Sequence, residues 1–177
     1  NWEDRSSCIL FGDGAGAAVV RAEEGELHPS VAGSDGTMGH VLACESRVQN
    51  DWQQKEADRK TYIDMDGTAV FKFAVRKMPE MAKSLMTQMH CTEADIDWFI
   101  THQANERIIE AIAKRLKSDI AKFPMNIAEC GNTSSASIPI LLDEMNRSGQ
   151  LKDGQKIIMA GFGAGLSWGA VYMEWHA

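Results

Sequence analysis

Two short segments about thirty residues apart hold the side chains best suited to chemistry. His102 lies in Ile100-Thr101-His102-Gln103-Ala104-Asn105, and Asn132 in Gly131-Asn132-Thr133-Ser134-Ser135-Ala136-Ser137. A neutral imidazole donates one hydrogen bond or acts as a base. A carboxamide N–H₂ is a donor that does not titrate. A third run, Gly161-Phe162-Gly163-Ala164-Gly165, can bring backbone N–H groups close to a ligand. Together the three suit a negative charge held on a carbonyl oxygen. Each has a plainer alternative: a loop histidine, a helix cap and a tight hairpin. The set lacks an obvious nucleophile. Cys130, two residues before Asn132, is one candidate if paired with His102. Its competing role is that of a small packed thiol.

Other chemistries are poorly served. No G-K-[ST] follows the glycine runs, and Gly12-Asp13-Gly14-Ala15-Gly16 lacks dinucleotide spacing. Cys8, Cys44, Cys91 and Cys130 show no C-x-x-C pattern, and the five histidines lack metal-type spacing. No metal or resident cofactor is expected. The net charge of −7 argues against general nucleic-acid binding. No run approaches a membrane span, and reduced thiols suggest the cytoplasm. Within 102–122, Arg107, Lys114, Arg115, Lys117 and Lys122 outnumber Glu106, Glu110 and Asp119, five against three. That excess suits either an acidic partner or a solvated helix face.

The elements that must position these residues follow from periodicity. Apolar residues at three- and four-residue steps predict a helix over 68–89, with Pro79 kinking it. Thr92-Glu93-Ala94-Asp95 resembles a capping box. Residues 98–101 read as a strand that delivers His102 at its end. A helix is expected from about 105 to 116, with Ile108, Ile109, Ile112, Ala113 and Leu116 on its apolar face. Another is expected from near Ser134 to before Gly149, with Pro139 in its early part. Strands are expected over 27–32, 156–160 and 166–175, and a polar surface loop over 45–60. Alternating strands and helices imply a layered α/β fold.

One internal repeat is visible. Residues 8–20 and 157–173 both read as a strand, a G-x-G-A-G turn and a returning strand. Two duplicated α/β halves explain it, with this chain holding the end of one and all of the other. The chain starts at Asn1 without a signal-peptide pattern, which suggests a start inside a longer protein.

The motifs in combination resemble the thiolase-fold condensing enzymes, and most closely the β-ketoacyl-acyl-carrier-protein synthase III family. The resemblance rests on ILFGDGAGAAVV at 9–20, DGTAVFKFAV at 66–75, HQANERII at 102–109, GNTSSAS at 131–137 and GFGAGLSWGA at 161–170. It implies a thiolase-like layered α/β fold. Residues 1–24 would be a terminal β-hairpin of an N-terminal half, and 25–177 the C-terminal half. It further implies decarboxylative condensation of acyl-CoA with malonyl-acyl-carrier protein at the start of fatty-acid synthesis. His102 and Asn132 would bind the malonyl thioester carbonyl and stabilise the enolate. Ala164, where relatives often have Gly, would lend its backbone N–H to an oxyanion hole. Gly67, Phe71, Ala104, Asn105 and Phe162 would line the pantetheine tunnel, and Arg5 would lie near the CoA adenine. Lys72, Arg107, Lys114 and Arg115 would help dock acyl-carrier protein, which is acidic. CoA and carrier-protein thioesters are then substrates, not cofactors, and the full-length enzyme would be a homodimer. The family's nucleophilic cysteine would lie upstream of Asn1, leaving this chain unable to form the acyl-enzyme. Three other readings are open: a specialised polyketide-type condensing enzyme, a self-contained Cys130–His102 hydrolase or acyltransferase, and a non-catalytic binding module.

Overall fold

The computed structural model describes residues 1–20, 24–25, 27–44 and 62–176. The expected polar loop over 45–60 lies outside them. A four-stranded sheet runs in the order β1 (Ser30–Ser34), β6 (Ser167–Glu174), β5 (Lys156–Gly163), β4 (Trp98–Thr101). β4 and β5 are parallel, with Ile100 opposite Met159. β5 and β6 form an antiparallel hairpin from Lys156–Glu174 to Gly163–Ser167, and β1 adds antiparallel to β6. β2 (Leu42–Cys44) and β3 (Ile63–Met65) form a separate antiparallel pair.

The period-two alternation of strand side chains sorts the apolar residues into two layers. Phe99 and Ile158 face α1 (Gly67–Gln88) and α2 (Glu106–Leu116) on one side of the sheet. Ile100 and Ile157 face Leu141 and Met145 of α4 (Ser137–Arg147) on the other. β4 is therefore buried on both faces, which explains its uniformly apolar start Trp98-Phe99-Ile100. α2 buries Ile108, Ile109, Ile112, Ala113 and Leu116. Its four larger side chains contribute about 1.5–3 kcal/mol each as an upper bound, far more than propensity supplies over eleven residues.

Caps set where these helices start. The Asp66 carboxylate accepts from Ala69 N–H at 2.9 Å to open α1, which continues through the buried Pro79. Asn105 Oδ1 accepts from Arg107 N–H at 2.9 Å to open α2. The capping pattern at 92–95 is real, with the Asp95 carboxylate accepting from the Thr92 N–H and hydroxyl. It closes only a single 3₁₀ turn, Glu93–Asp95.

Three expectations need correction. Residues 8–20 do not form a hairpin. Phe11 instead makes an isolated parallel bridge to Asn132, and residues 12–20 run without regular structure. Gly12 and Gly16 pack against Cys130 and Pro139, so the segment's contacts go to the Asn132 region rather than to itself. The repeat is thus a repeat of sequence, and only its second copy is a hairpin. Gly161 and Gly163 lie inside β5, so the turn between the strands spans only 164–166. The last helix starts at Ser137, after a 3₁₀ turn over Ser134–Ala136. Pro139 then falls in the first turn of α4, where its missing N–H costs nothing.

Candidate active site

A cavity of about 670 Å³ opens where the ends of β4 and β5 meet the starts of α1, α2 and α4, the β2–β3 pair and the segment around Asn132 that follows α3 (Ile127–Cys130). Its polar floor is His102, Asn132, Ser134, Ser135 and Ser137; Phe71, Phe162, Ala104 and Ile138 are among its apolar walls. This is the carboxyl end of parallel strands, where open α/β sheets bind ligands.

His102 follows the last residue of β4. Its N–H donates to Ala160 O at 2.9 Å, continuing the pairing with β5. The ring lies edge-to-face against Phe162, with centroids 5.5 Å apart. Nδ1 lies 2.7 Å from Ser137 Oγ, which leaves Nε2 as the ring nitrogen for the cavity. Desolvation lowers the imidazole pKa from 6.5 to about 4. The side chain is only partly buried by surface exposure. The ring faces the cavity, and among the described residues no carboxylate offsets its desolvation by favouring the charged form. At neutral pH His102 is uncharged and a weak base.

Asn132 is held by the N-terminal segment. Its N–H donates to Leu10 O at 2.8 Å, and its carbonyl accepts from Gly12 N–H at 3.0 Å. That pairing requires glycine twice. A Cβ on Gly12 would lie 2.1 Å from Cys130 O, and Gly131 has φ +66 with Leu10 O 3.3 Å from its would-be Cβ. The carboxamide orientation is settled by chemistry. Ser134 N–H can only donate, and its 2.9 Å partner is therefore Asn132 Oδ1. The Nδ2 hydrogens remain for the cavity.

A buried carboxamide links the two loops. Gln103 is fully buried; its Nε2 donates to Thr101 O at 2.8 Å, and its Oε1 accepts from Asn126 N–H at 3.2 Å. Asn126 begins the turn into α3, which Gly131 caps. Residues 101–103 and 126–132 are therefore tied together. Neither Gln103 nor Ser137 stood out in the sequence, because a lone Gln in a loop and one Ser in a Ser-rich run carry no periodic or spacing signal.

Of the expected site residues, Gly67, Phe71, Ala104, Asn105, Phe162 and Ala164 all line the cavity with His102 and Asn132. Ala164 lies in the β5–β6 turn, and its φ is outside the left-handed region. Its Cβ therefore imposes no strain, and its N–H stays available in kind. Arg5, Lys72, Arg107, Lys114 and Arg115 are exposed and do not line the cavity. Lys72 and Arg107 follow the lining residues Phe71 and Asn105 by one and two positions along the chain. Cys130 does not line the cavity. Its thiol lies 3.9 Å from Glu144 Oε1, and desolvation with the nearby Glu144 and Glu129 raises its pKa. Both features oppose a Cys130–His102 nucleophile pair. Cys8 and Cys91 are likewise absent from the lining, whereas Cys44 is on it. No cluster of metal-ligating side chains occurs among the described residues, and none of their helices is long and apolar enough to cross a membrane.

Comparison with known proteins matches this geometry to one family. The family model for the 3-oxoacyl-[acyl-carrier-protein (ACP)] synthase III C terminal covers residues 86–175, and that for 3-oxoacyl-[acyl-carrier-protein (ACP)] synthase III covers residues 1–36. The β-ketoacyl-[acyl-carrier-protein] synthase III of Clostridium novyi is 46% identical over 99% of this chain and 55% of its own length. The crystal structure of 3-oxoacyl-[acyl-carrier-protein] synthase III from Aquifex aeolicus superposes with a TM-score of 0.88 at 38% identity, over 99% of this chain and 53% of that one. The priming β-ketosynthase of the R1128 polyketide pathway superposes with a TM-score of 0.81 at 34% identity, over 98% and 52%. The chain thus spans about half the length of the curated relatives it matches, and its architecture is the thiolase-like layered α/β fold of these structures.

Proposed function

Because the chain belongs to the 3-oxoacyl-[acyl-carrier-protein] synthase III family, we propose that its cavity is the decarboxylating part of a condensing site in fatty-acid synthesis. One observation carries the reading. The Asn132 carboxamide oxygen is engaged by Ser134 N–H and His102 Nδ1 by Ser137, so Asn132 Nδ2 and His102 Nε2 are the groups left for a ligand.

A malonyl thioester seated here places its carbonyl oxygen between those two groups. Loss of CO₂ breaks the bond from the methylene carbon to the carboxylate. The electron pair moves into the enolate, and negative charge builds on the thioester oxygen. Two preorganised neutral donors in a recess stabilise that charge without reorganising. A neutral His102 also avoids a permanent ion at the site. The enolate carbon then attacks the carbonyl carbon of an acyl thioester, and the Ala164 N–H suits the oxyanion that forms; collapse of that oxyanion breaks the acyl C–S bond, releases the thiolate and leaves the β-ketoacyl thioester. Phe71, Phe162, Ala104 and Gly67 suit the mostly apolar pantetheine arm. Arg5 suits the CoA adenine, and Lys72, Arg107, Lys114 and Arg115 suit an acidic carrier protein. Cys8, Cys91 and Cys130 lie off the cavity, which speaks against them as the acylated thiol. We infer that it is a cysteine outside residues 1–177, with Cys44 at the cavity lining as the alternative.

The test is His102→Ala and Asn132→Ala in an enzyme containing this chain. Each should lower malonyl decarboxylation by about 10²–10³ while sparing acyl transfer from acyl-CoA to cysteine. Decarboxylation that survives both changes refutes the reading. Mass analysis after acyl-CoA treatment locates the acylated thiol. The 34% identity to a polyketide priming synthase keeps that related function as a second reading, and a comparison of primers with fatty-acid and polyketide carrier proteins separates the two.

A further inference from the structure

Building on the reading of His102 as a donor, we propose that the Ser137 hydroxyl is a positioning residue that fixes His102 as its Nε2–H tautomer. Ser137 Oγ has two partners among the described residues: His102 Nδ1 at 2.7 Å and Gln103 N–H at 3.2 Å. A backbone N–H can only donate, so Oγ accepts from Gln103. The hydroxyl proton then has one acceptor within reach, the Nδ1 lone pair. The opposite tautomer would have Nδ1–H donate to an oxygen already accepting from Gln103. It would strand the hydroxyl proton at a residue only 2% exposed, and would present a lone pair, not a donor, to the cavity.

The surroundings make this arrangement rigid. Ser137 is the first residue of α4, and its N–H is held by Ser134 O. The backbone that presents the Gln103 N–H is fixed by the buried Gln103 side chain, whose Nε2 donates to Thr101 O, and by the His102 N–H, which donates to Ala160 O. The serine is thus pinned to one helix and the histidine to one strand. Their contact transmits a tautomer choice rather than a loose preference.

The experiment is a long-range ¹H–¹⁵N spectrum of the histidine-labelled chain at neutral pH, with His102 identified by its loss in His102→Gln. The wild type should show a pyridine-type Nδ1 and a pyrrole-type Nε2. Ser137→Ala should give a mixed or reversed pattern, and Ser137→Thr, which keeps the hydroxyl, should restore it. In an enzyme containing the chain, Ser137→Ala should lower malonyl decarboxylation about 10- to 100-fold, as loss of an outer partner does for metal-bound histidines, with KM little changed. A protonated Nδ1 in the wild type overturns the proposal. So does an unchanged His102 pattern in Ser137→Ala. If Ser137→Ala does not fold, the wild-type and Ser137→Thr spectra still decide. A wild-type Nε2–H that is lost in Ser137→Ala, in an enzyme that never decarboxylates malonyl thioesters, supports the positioning role and refutes the catalytic reading instead.

Discussion

Replacing Gln103 with Leu tests how the two loops of the site are held together. Leucine occupies a similar volume, so the change isolates hydrogen bonding from cavity formation. It removes the acceptor of Asn126 N–H, a group on a residue only 7% exposed, and a donor to Thr101 O. A third contact, to Pro124 O at 3.4 Å, is long and adds little. One stranded buried donor costs about 1–3 kcal/mol and one lost acceptor contact about 1 kcal/mol, so the expected loss is about 2–4 kcal/mol. With a urea dependence of about 2 kcal/mol per molar for a domain of this size, the unfolding midpoint should fall by about 1–2 M. Gln103→Glu sharpens the test. The introduced side chain, when protonated, can still accept from Asn126 N–H and donate to Thr101 O, whereas its carboxylate form cannot donate and is buried. Its folded-state pKa must therefore lie above the unfolded value. The native state then binds more protons, and its stability relative to wild type falls as pH rises from the unfolded carboxyl pKa through the folded one. A Gln103→Leu midpoint within 0.25 M of wild type (about 0.5 kcal/mol on the same slope), or a Gln103→Glu penalty independent of pH, refutes the linkage.

Three further outcomes are expected. Since His102 has a folded pKa of about 4 against 6.5 unfolded, the unfolded state binds the extra proton between those values. Stability should therefore fall as pH drops from 6.5 to 4, by at most about 3 kcal/mol, and the difference between wild type and His102→Gln in parallel urea titrations isolates this contribution. Gly12→Ala forces its Cβ onto Cys130 O and should destabilise the chain by about 1–3 kcal/mol, displacing Asn132 in backbone amide spectra; unchanged Asn132 shifts would contradict the bracing role of residues 10–12. Lys72→Glu with Arg107→Glu should slow carrier-protein association and flatten its salt dependence while leaving the dissociation rate nearly constant; stopped-flow binding across ionic strengths reads both.

Much of the architecture was legible along the chain. The 3.6-residue rhythm of Ile108, Ile109, Ile112, Ala113 and Leu116 placed α2, and the Trp98–Thr101 run placed β4 to the residue. Both signals are local, because one buried face writes itself into spacing. His102 and Asn132 were candidates by residue type alone, and their order with the glycine runs carried the family resemblance. What the sequence could not settle was partnership. Residues 8–20 and 157–173 carry the same strand–glycine–strand pattern, yet only the second pairs with itself; the first bridges to Asn132 through Phe11. A pattern of alternation states that a segment can pair, and only neighbours in space decide with what. The same holds for Gln103, Ser137 and the free hydrogens of Asn132. A polar side chain has no function until tertiary packing removes water and leaves it one partner, and that selection alone turned two ordinary loops into a pair of donors facing one cavity.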